Sequence, residues 1–193
     1  TSVLQVNDNG LVLHGSLGTG FRAPALAENL FAFGNPDLRP EFSRGWDVGI
    51  EKRMAQGTIT VDATFFRNDF RDLIIFNPNS SLGPFGALEN VGSARSAGVE
   101  LSARWLWSKD TSLSASYTFD DAVDTNSGSQ LARRPRDSLL ITLDHQFNQQ
   151  LSGGLVLMHV GKRNDVAQQL AGYYKLDLQM AWTLNDRWRL LAR

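Results

Sequence analysis

The stretch GTGFRAPALAENLFAFGNPDLRPE, from Gly18 to Glu41, decides how this chain can fold. It is punctuated by prolines and glycines, at Pro24, Pro36 and Pro40 and at Gly18, Gly20 and Gly34. Proline removes a backbone donor and fixes φ, whereas glycine admits backbone angles that other residues resist. The stretch is therefore neither a strand nor a helix throughout, and its phenylalanines, Phe21, Phe31 and Phe33, need a surface to pack on.

Alternation of apolar and polar residues dominates the chain on both sides of this stretch. In the clearest example, Leu113, Ala115 and Tyr117 point one way while the serines between them point the other. Such a period of two is typical of strands with two different faces. It predicts about nine strands and no amphipathic helix between them. The strands are centred on residues 11–17, 46–50, 58–65, 99–105, 112–119, 139–147, 154–161, 174–182 and 188 onward.

The connections between these strands alternate between short and long. Short turns are predicted at 7–10, 52–57, 107–110, 148–150 and 185–187, and long joins at 22–43, 71–89, 120–136 and 162–172. Since a hairpin needs only two to five residues, the long joins require a functional or architectural reason. One end of the sheet therefore carries tight turns and the other carries large loops.

The two faces of the strands differ in polarity. One face is aliphatic and aromatic, with tryptophan and tyrosine near the strand ends at Trp46, Trp105, Tyr174, Trp182 and Trp188. The other carries Ser, Thr, Gln and charged residues. A transmembrane barrel turns its apolar face to lipid and its polar face to a lumen, and it needs tilted strands of about 9–11 residues. The pattern favours an all-β, antiparallel transmembrane barrel, with a soluble sandwich or partial sheet as the alternative.

Composition excludes several classes of protein. The 193 residues carry a formal net charge of -1, so no basic surface indicates nucleic acid. There is no cysteine, which excludes disulfides, thiolate metal sites and cysteine nucleophiles. No apolar run approaches the roughly 18 residues of a spanning helix, and TSVLQVNDNG lacks the features of a signal peptide. Both chain ends are interpreted as cuts within a longer protein.

Several ordered motifs resemble those of the TonB-dependent outer-membrane receptors. GTGFRAP and NPDLRPE form a signature pair, followed in order by GWDVGIE, TFFRNDFRDLIIF, ENVGSARSAGVELSARW, SYTFDDA, LARRPRD and YYKLDLQMAW. The resemblance covers nearly the whole chain, and within the family the layout is most similar to the vitamin B12 and siderophore receptors. Ordered matches of this kind are far more specific than any one of them.

The resemblance implies that residues 1–193 are part of a barrel domain of about 22 strands. Its short turns would lie in the periplasm and its long loops outside the cell. The plug domain, the segment that contacts TonB and the terminal strands are expected to lie outside this chain. The implied function is TonB-dependent uptake of cobalamin, siderophore-bound iron or haem across the outer membrane of a Gram-negative bacterium.

Most residues of the signature motif are predicted to be architectural. They set where the strand leaves the barrel and how the loop folds back, with Asn35 and the acids near it shaping turns. The set comprises Gly18, Gly20, Phe21, Arg22, Pro24, Asn35, Pro36, Pro40 and Glu41. Contact between Phe21, Arg22 or Pro24 and a substrate is the weaker interpretation.

The long join at 72–88 is the predicted site of ligand contact. Aromatic and amide side chains at a barrel mouth suit a bulky amphipathic ligand, and the candidates are Phe76, Asn77, Asn79 and Phe85. A second loop, DDAVDTNSG at 120–128, faintly resembles a calcium loop but lacks the completing glutamate, so a solvated acidic loop is preferred. Arg133, Arg134 and Arg136 could meet lipopolysaccharide phosphates or pair with those acids.

A set of charged residues on the polar face is predicted to face the lumen and the plug. These residues are Glu51, Asp62, Glu100, Arg104, Asp144 and Asp177. A water-filled interface between wall and plug tolerates charge and lets the plug rearrange. The expected partners are TonB, the plug, outer-membrane lipid and lipopolysaccharide, and a cobalamin or metal chelate as substrate.

No enzymatic activity, cofactor or metal site is expected. His14, His145 and His159 lie on separate strands without the spacing of metal ligands. An outer-membrane hydrolase that uses His145 with a serine is a remote hypothesis, because no nucleophile motif accompanies it. A passive porin-like channel and a soluble β-rich binding domain are two further hypotheses that the alternating pattern permits.

Overall fold

The computed structural model describes residues 2–7, 10–165 and 168–193. Its elements, in chain order, are strands β1 (Ser2–Asn7) and β2 (Leu11–Arg22), helix α1 (Leu26–Leu30), and strands β3 (Glu41–Met54), β4 (Ile59–Asn77), β5 (Ala87–Ser108), β6 (Thr111–Asp124), β7 (Asp137–Gln146), β8 (Leu151–Val160), β9 (Arg163–Asn164), β10 (Gln169–Leu170), β11 (Tyr173–Asn185) and β12 (Trp188–Ala192). A short 3₁₀ turn spans Ala55–Gly57.

Ten of these strands form a single antiparallel sheet in the order β1-β2-β3-β4-β5-β6-β7-β8-β11-β12. Each strand pairs with its neighbour in the chain, apart from the small β9–β10 hairpin inserted between β8 and β11. This meander is the topology of an up-and-down barrel wall. It confirms the predicted all-β antiparallel fold.

All nine predicted strands are present, as β2 to β8, β11 and β12, and β1 and the two-residue strands β9 and β10 are additional. The predicted turn at 7–10 includes Asp8 and Asn9, and the predicted join at 162–172 includes Val166 and Ala167; these four residues lie outside the described part of the chain. The remaining short turns occur where predicted, between β3 and β4, β5 and β6, β7 and β8, and β11 and β12.

The strands extend further into the long joins than the sequence predicts. Strand β2 continues to Arg22, β4 to Asn77 and β6 to Asp124, and β5 begins at Ala87. The extension of β4 and β5 passes a break in register beside Asp72, whose φ is 56°. Pairing satisfies backbone groups that a loose loop would leave to water, so the joins contract to 23–40, 78–86 and 125–136. The first of these also contains α1, which the alternating pattern does not predict.

The apolar side chains of this sheet are the exposed ones. Among the described residues, the buried hydrophobic set consists only of Ala87, Ala94 and Ala122. Val48 is 53% exposed and Leu178 62% exposed, whereas polar residues on the opposite face, such as Asp47 and Asp62, are half-buried. A sandwich would bury its apolar face against a second sheet. This single layer instead presents its apolar face outward, as the wall of a transmembrane barrel does.

Aromatic side chains mark both ends of the apolar face, as predicted. Trp46 and Phe65 lie 5.6 Å apart between ring centroids toward the loop end. Trp105 and Trp107 stack at 5.0 Å beside the short turn that follows β5. Such aromatic girdles are typical of barrel residues at the two membrane interfaces. The described residues include no helix with the length and apolarity required to cross a membrane.

Candidate functional site

Arg22 is the central residue of the signature motif. It ends β2 opposite Glu41, which begins β3. Its Nε and Nη2 donate to the two carboxylate oxygens of Glu41 at 2.6 and 2.8 Å, and its Nη1 donates to Glu28 at 2.9 and 3.1 Å. Glu41 Oε1 also accepts the backbone N–H of Ile74 at 2.8 Å, and Glu28 accepts that of Ala25 at 2.7 Å. One guanidinium thus joins the start of the loop, its end and β4.

The ionisation of this cluster follows from the same contacts. Hydrogen bonds from Arg22 hold the pKa of Glu41 below its ordinary value, and they lower the pKa of Glu28 in the same way. The two carboxylates raise the pKa of Arg22 in return. All three groups are therefore charged at neutral pH, and their bidentate geometry is the stronger form of ion pair.

Residues 33–39 of the motif lie against the extended part of β4 and β5. Asn35 is 8% exposed; its Nδ2 donates to the Leu88 carbonyl at 3.1 Å while its Oδ1 accepts the Asp37 N–H at 2.9 Å. The Leu88 N–H donates to the Phe33 carbonyl at 2.8 Å. Phe33 adopts a φ of 69° to make this turn.

A second set of contacts fixes the end of the same loop. Asn90 Oδ1 accepts the Arg39 N–H at 2.7 Å, and Asn90 Nδ2 donates to the carbonyls of Arg39 at 2.9 Å and Asp72 at 2.7 Å. Arg39 also pairs with Asp72 at 2.8 Å. Asn90 lies within the motif that begins ENVG, although the sequence alone gives no sign of this role. Arg22, Asn35 and Glu41 thus make contacts that join parts of the loop to the strands, and their architectural role stays a prediction.

The remaining motif residues occupy positions of different kinds. Gly18, Gly20 and Phe21 belong to β2 rather than to the loop, and Phe21 is 74% exposed on the apolar face. A Cβ on Gly20 would lie 2.9 Å from Ser43 Oγ, whereas one on Gly18 would meet nothing within 4 Å. Pro24, Pro36 and Pro40 lie outside the regular elements, with Pro40 directly before β3.

The four ligand candidates lie at the same end of the sheet but differ in how exposed their side chains are. Phe76 and Asn77 belong to the end of β4, whereas Asn79 and Phe85 lie in the connection at 78–86. Phe85 is 77% exposed and Phe76 is 47% exposed. Phe76 also meets Phe33 edge to face, with ring centroids 5.2 Å apart. Two aromatic surfaces are therefore presented beside the motif loop.

The amide of Asn77 is already engaged within the protein. Its Nδ2 donates to Glu89 at 3.0 Å and its Oδ1 accepts the Asn79 N–H at 3.0 Å. Ser80 donates its hydroxyl to the other oxygen of Glu89. These hydrogen bonds lower the pKa of Glu89, so an ionised carboxylate organises this turn. Sequence reasoning missed Glu89, which is the neighbour of Asn90 in the same motif.

The strand register places all six predicted lumenal charges on the polar face. Glu51 lies opposite Asp62, Glu100 lies opposite Thr64 and Thr118, and Arg104 lies opposite Thr60. Asp144 and Asp177 lie on the same face of β7 and β11, opposite Gly154 and Val156 of β8. They are spread along the wall rather than gathered in one cluster. Local partners include His14 for Asp62 at 2.7 Å and Lys175 for Asp177 at 2.9 Å.

The acidic segment at 120–128 does not form a calcium loop. Asp120 and Asp121 lie in β6 on opposite faces, where Asp120 accepts from Ser96 at 2.7 Å and Asp121 pairs with Arg136 at 2.9 Å. Asp124 accepts the N–H groups of Asn126 and Ser127, which lowers its pKa and caps the turn. Arg133 pairs with Asp165 at 2.9 Å. In the described part of the chain, no three His, Cys, Asp or Glu side chains are placed to hold a metal ion.

The histidines have structural partners and lie on separate strands. His145 is on the apolar face, as predicted, and its Nδ1 lies 2.8 Å from Thr111 Oγ1, while its ring meets Phe147 at 4.6 Å. His14 bonds to Asp62 and His159 lies 3.2 Å from Asp137. The hydrolase hypothesis pairs His145 with a serine as the nucleophile. Threonine occupies that position at His145.

The fold and the motif geometry agree with one family. A family model described as TonB dependent receptor-like, beta-barrel matches residues 2–193. The chain belongs to this family. The motifs quoted from the sequence are therefore those of a TonB-dependent receptor barrel. Arg22 and the carboxylates that it contacts join the two halves of the signature pair, GTGFRAP and NPDLRPE.

A curated relative shows how much of a whole transporter this chain corresponds to. The vitamin B12 transporter BtuB of Vibrio vulnificus (strain YJ016) is 28% identical over 185 residues, which cover 92% of this chain and 28% of that transporter. The chain thus spans less than a third of the length of this relative.

Solved structures of TonB-dependent receptors share the fold. The copper transporter OprC superposes with a TM-score of 0.77 at 19% identity, covering 94% of this chain and 30% of OprC. The ferric yersiniabactin uptake receptor FyuA from Yersinia pestis gives 0.73 at 19% identity, covering 98% and 30%. A ferric enterobactin receptor (PfeA) mutant from Pseudomonas aeruginosa gives 0.77 at 20% identity, covering 95% and 32%. At these identities the likeness establishes the barrel fold and leaves the ligand open.

Proposed function

We propose that this chain forms part of the barrel wall of an outer-membrane receptor that imports a scarce nutrient by a TonB-dependent mechanism. The observation that carries the proposal is the family match over residues 2–193, combined with a sheet whose apolar face is exposed. The proposed cargo is a cobalamin, a siderophore-bound or otherwise chelated metal, or haem. Vitamin B12, copper and ferric siderophores are named for relatives and structural neighbours.

In this proposal the aromatic surfaces of Phe76 and Phe85 contact the ligand at the barrel mouth. Both lie at the loop end of β4 and β5, and both are exposed. Asn79 is exposed in the same turn, while Asn77 contributes by holding the turn through Glu89. A bulky amphipathic ligand gains from such aromatic faces combined with a few polar groups.

The polar face of the sheet is proposed to line the lumen and face the plug. Glu51, Asp62, Glu100, Arg104, Asp144 and Asp177 would then lie at a wetted interface between wall and plug. Charges there tolerate rearrangement, because neither partner has to expose an apolar surface when the plug moves. TonB would pull on the plug, and the wall itself would carry out no covalent chemistry.

Outer-membrane lipid is the proposed solvent of the apolar face, and lipopolysaccharide is the proposed neighbour at the loop end. The family's location in the outer membrane and the aromatic girdles support this placement. A passive porin-like channel is not favoured, because the family match is to TonB-dependent receptors.

The test is uptake by the complete receptor in cells with and without TonB. Radiolabelled cobalamin, haem, ferric siderophores and a copper chelate would be offered separately. We expect uptake of one class, abolished by loss of TonB or by collapse of the proton gradient. Equal uptake with and without TonB would establish a passive channel, and binding of none of the four classes would overturn the nutrient claim.

A further inference from the structure

We propose that an arginine cluster on the apolar face of the sheet binds the phosphates of lipopolysaccharide. The cluster consists of Arg44 on β3, Arg67 and Arg71 on β4, and Arg95 on β5, arranged around Asp69. It is called the outer arginine cluster below. The inference rests on the proposed function, which places the loop end of this sheet at the outer leaflet.

The strand register puts these side chains on the lipid side. Arg44 pairs with Asp69, and Asp69 pairs with Arg95, so the aspartate lies between two arginines on neighbouring strands. Successive residues of a strand point to opposite faces. Arg67 and Asp69 therefore share a face with the exposed Phe65 rather than with the lumenal Asp62.

The charge of the cluster is positive and only partly compensated. Arg67 donates from Nε and Nη2 to the two oxygens of Asp69, each at 2.9 Å. That bidentate pair uses one arginine to neutralise Asp69. Asp121, which lies on the same face next to Ala97, is paired with Arg136 at 2.9 Å and so leaves the charge of the cluster unchanged. Arg44 and Arg95 flank Asp69, about 10 Å apart across two strand spacings. The Arg71 guanidinium carbon lies 5.0 Å from the centroid of the Phe42 ring, and the residue is exposed.

The position of the cluster indicates an amphipathic ligand. Arg67 pairs directly with Trp46, which meets Phe65 in the aromatic girdle. The cluster thus borders the apolar band on its loop side. A ligand seated there would place anionic groups on the arginines and hydrocarbon on the band below. Arginine binds phosphate through a planar, multidentate donor set. A phosphorylated lipid fits both requirements, and in an outer leaflet that lipid is lipopolysaccharide.

Purified complete receptor offers a direct test by native mass spectrometry in detergent with added lipid A. We expect lipid A to bind, and the double variant Arg44→Gln/Arg95→Gln to bind it at least about tenfold more weakly, because two charged donors are lost. Arg187→Gln is the matched control, since it removes an exposed positive charge from the short turn at the opposite end of the sheet. It should bind as the unmodified receptor does.

Two further sets of measurements identify which lipid supplies the phosphate and control for a folding defect in the double variant. Asp69→Asn removes the central negative charge and should strengthen lipid A binding. Lipid A stripped of its phosphates and phosphatidylglycerol should both bind more weakly than lipid A. Equal binding of all three lipids, or no difference between the double variant and Arg187→Gln, would overturn the proposal. Nutrient binding should be unchanged in every variant, so failure of the uptake proposal would be seen separately.

Discussion

At the scale of single residues, Arg22 determines how the signature loop is held. Its guanidinium contacts Glu28 within the loop and Glu41 at the start of β3, and Glu41 in turn accepts an N–H from β4. The Arg22 side chain is 47% exposed, so water weakens each ion pair. We estimate its contribution at about 1 kcal/mol, the upper part of the range for exposed pairs. We choose the upper part of that range because the contact between Arg22 and Glu41 is bidentate.

Replacing Arg22 by glutamine should loosen residues 23–40 without unfolding the barrel. The change removes the charged donor and leaves Glu28 and Glu41 as neighbouring carboxylates. Hydrogen exchange of the complete receptor should show about fivefold faster exchange in this loop, as expected for a loss near 1 kcal/mol. Arg134→Gln, in the loop at 125–136, is the control. Unchanged exchange in the Arg22 variant would show that the ion pairs do not hold the loop.

The same cluster predicts a pH dependence whose sign can be worked out. Because the pKa values of Glu28 and Glu41 are lowered below 4.5 in the folded protein, their ion pairs stabilise the loop above that pH. The stabilisation is lost as the pH falls through the lowered values. Exchange of 23–40, corrected for the intrinsic effect of pH, should stay constant from neutral pH to about 4.5 and rise below it. In the Arg22→Gln variant, which has no guanidinium to pair with these carboxylates, most of this rise should disappear.

Phe85 is the residue whose removal should affect ligand binding most clearly. It is 77% exposed and its ring has room to meet a ligand. Phe85→Ala should weaken nutrient binding by about tenfold, as is common for an aromatic anchor. Leu82→Ala, at a side chain 62% exposed in the same turn, should change it by less than about threefold. Equal effects of the two substitutions would contradict a specific role for Phe85.

At the scale of elements, the sequence pattern predicts strand centres well and strand ends poorly. Alternation locates the middle of every strand from β2 to β8 and of β11 and β12, because each has one apolar face. The extension of β4 contains four consecutive apolar residues, Leu73 to Phe76, and its pairing with β5 shifts register beside Asp72, so period two disappears although pairing continues. Helix α1 has five residues, too few for a helical period. Motif residues distant in sequence, such as Arg39 and Asn90, meet only through this extension.

The outer arginine cluster illustrates a second limit of the pattern. Alternation assigns the charges of the central segments to the lumen, because the opposite face is apolar there. Beyond Trp46 and Phe65 the apolar face itself becomes charged, and only the register of β3, β4 and β5 shows that Arg44, Asp69 and Arg95 share it. A sequence window that extends past the apolar band contains residues of both the apolar and the charged part of this face, so alternation no longer shows which face a charge occupies.

Two glycines of the sheet, Gly49 and Gly18, differ in whether neighbouring side chains leave room for a Cβ. The His14 imidazole of β2 crosses over Gly49 of β3 to reach Asp62 of β4 at 2.7 Å. A Cβ on Gly49 would overlap the His14 ring, whereas a Cβ on Gly18 of the same sheet would meet nothing within 4 Å.

Gly49→Ala should therefore destabilise the barrel and Gly18→Ala should not. Relief of the clash would displace His14 and break its bond to Asp62, at a cost of about 1–3 kcal/mol. The measurement is the temperature at which the complete receptor loses its compact form on semi-native electrophoresis. We expect a lower temperature for Gly49→Ala alone. Equal temperatures for both variants would contradict the packing described for β2, β3 and β4.

At the scale of the whole molecule, the organisation of the sheet is the reverse of that in a soluble protein. Its apolar side chains are exposed, many of its polar side chains are half-buried, and its described residues enclose no large hydrophobic core. Membership of the TonB-dependent receptor family explains why the apolar face is the exposed one, since a receptor barrel faces lipid on one side and a plug on the other. Under the proposed function, substrate choice would depend on loops and a plug that vary on a rigid barrel, so the wall alone does not reveal the cargo.

The most direct test of this account compares the environments of two neighbouring residues, Glu100 and Leu101. They point to opposite faces of β5, and this chain contains no cysteine. In a complete receptor from which any cysteine elsewhere has been removed, a single cysteine introduced at either site can carry a spin label. In outer-membrane vesicles, we predict that a label at Leu101 is accessible to oxygen and protected from a water-soluble nickel chelate, as expected for lipid. A label at Glu100 should show little access to oxygen. Equal accessibility at the two sites, or the reverse pattern, would contradict the barrel-wall account.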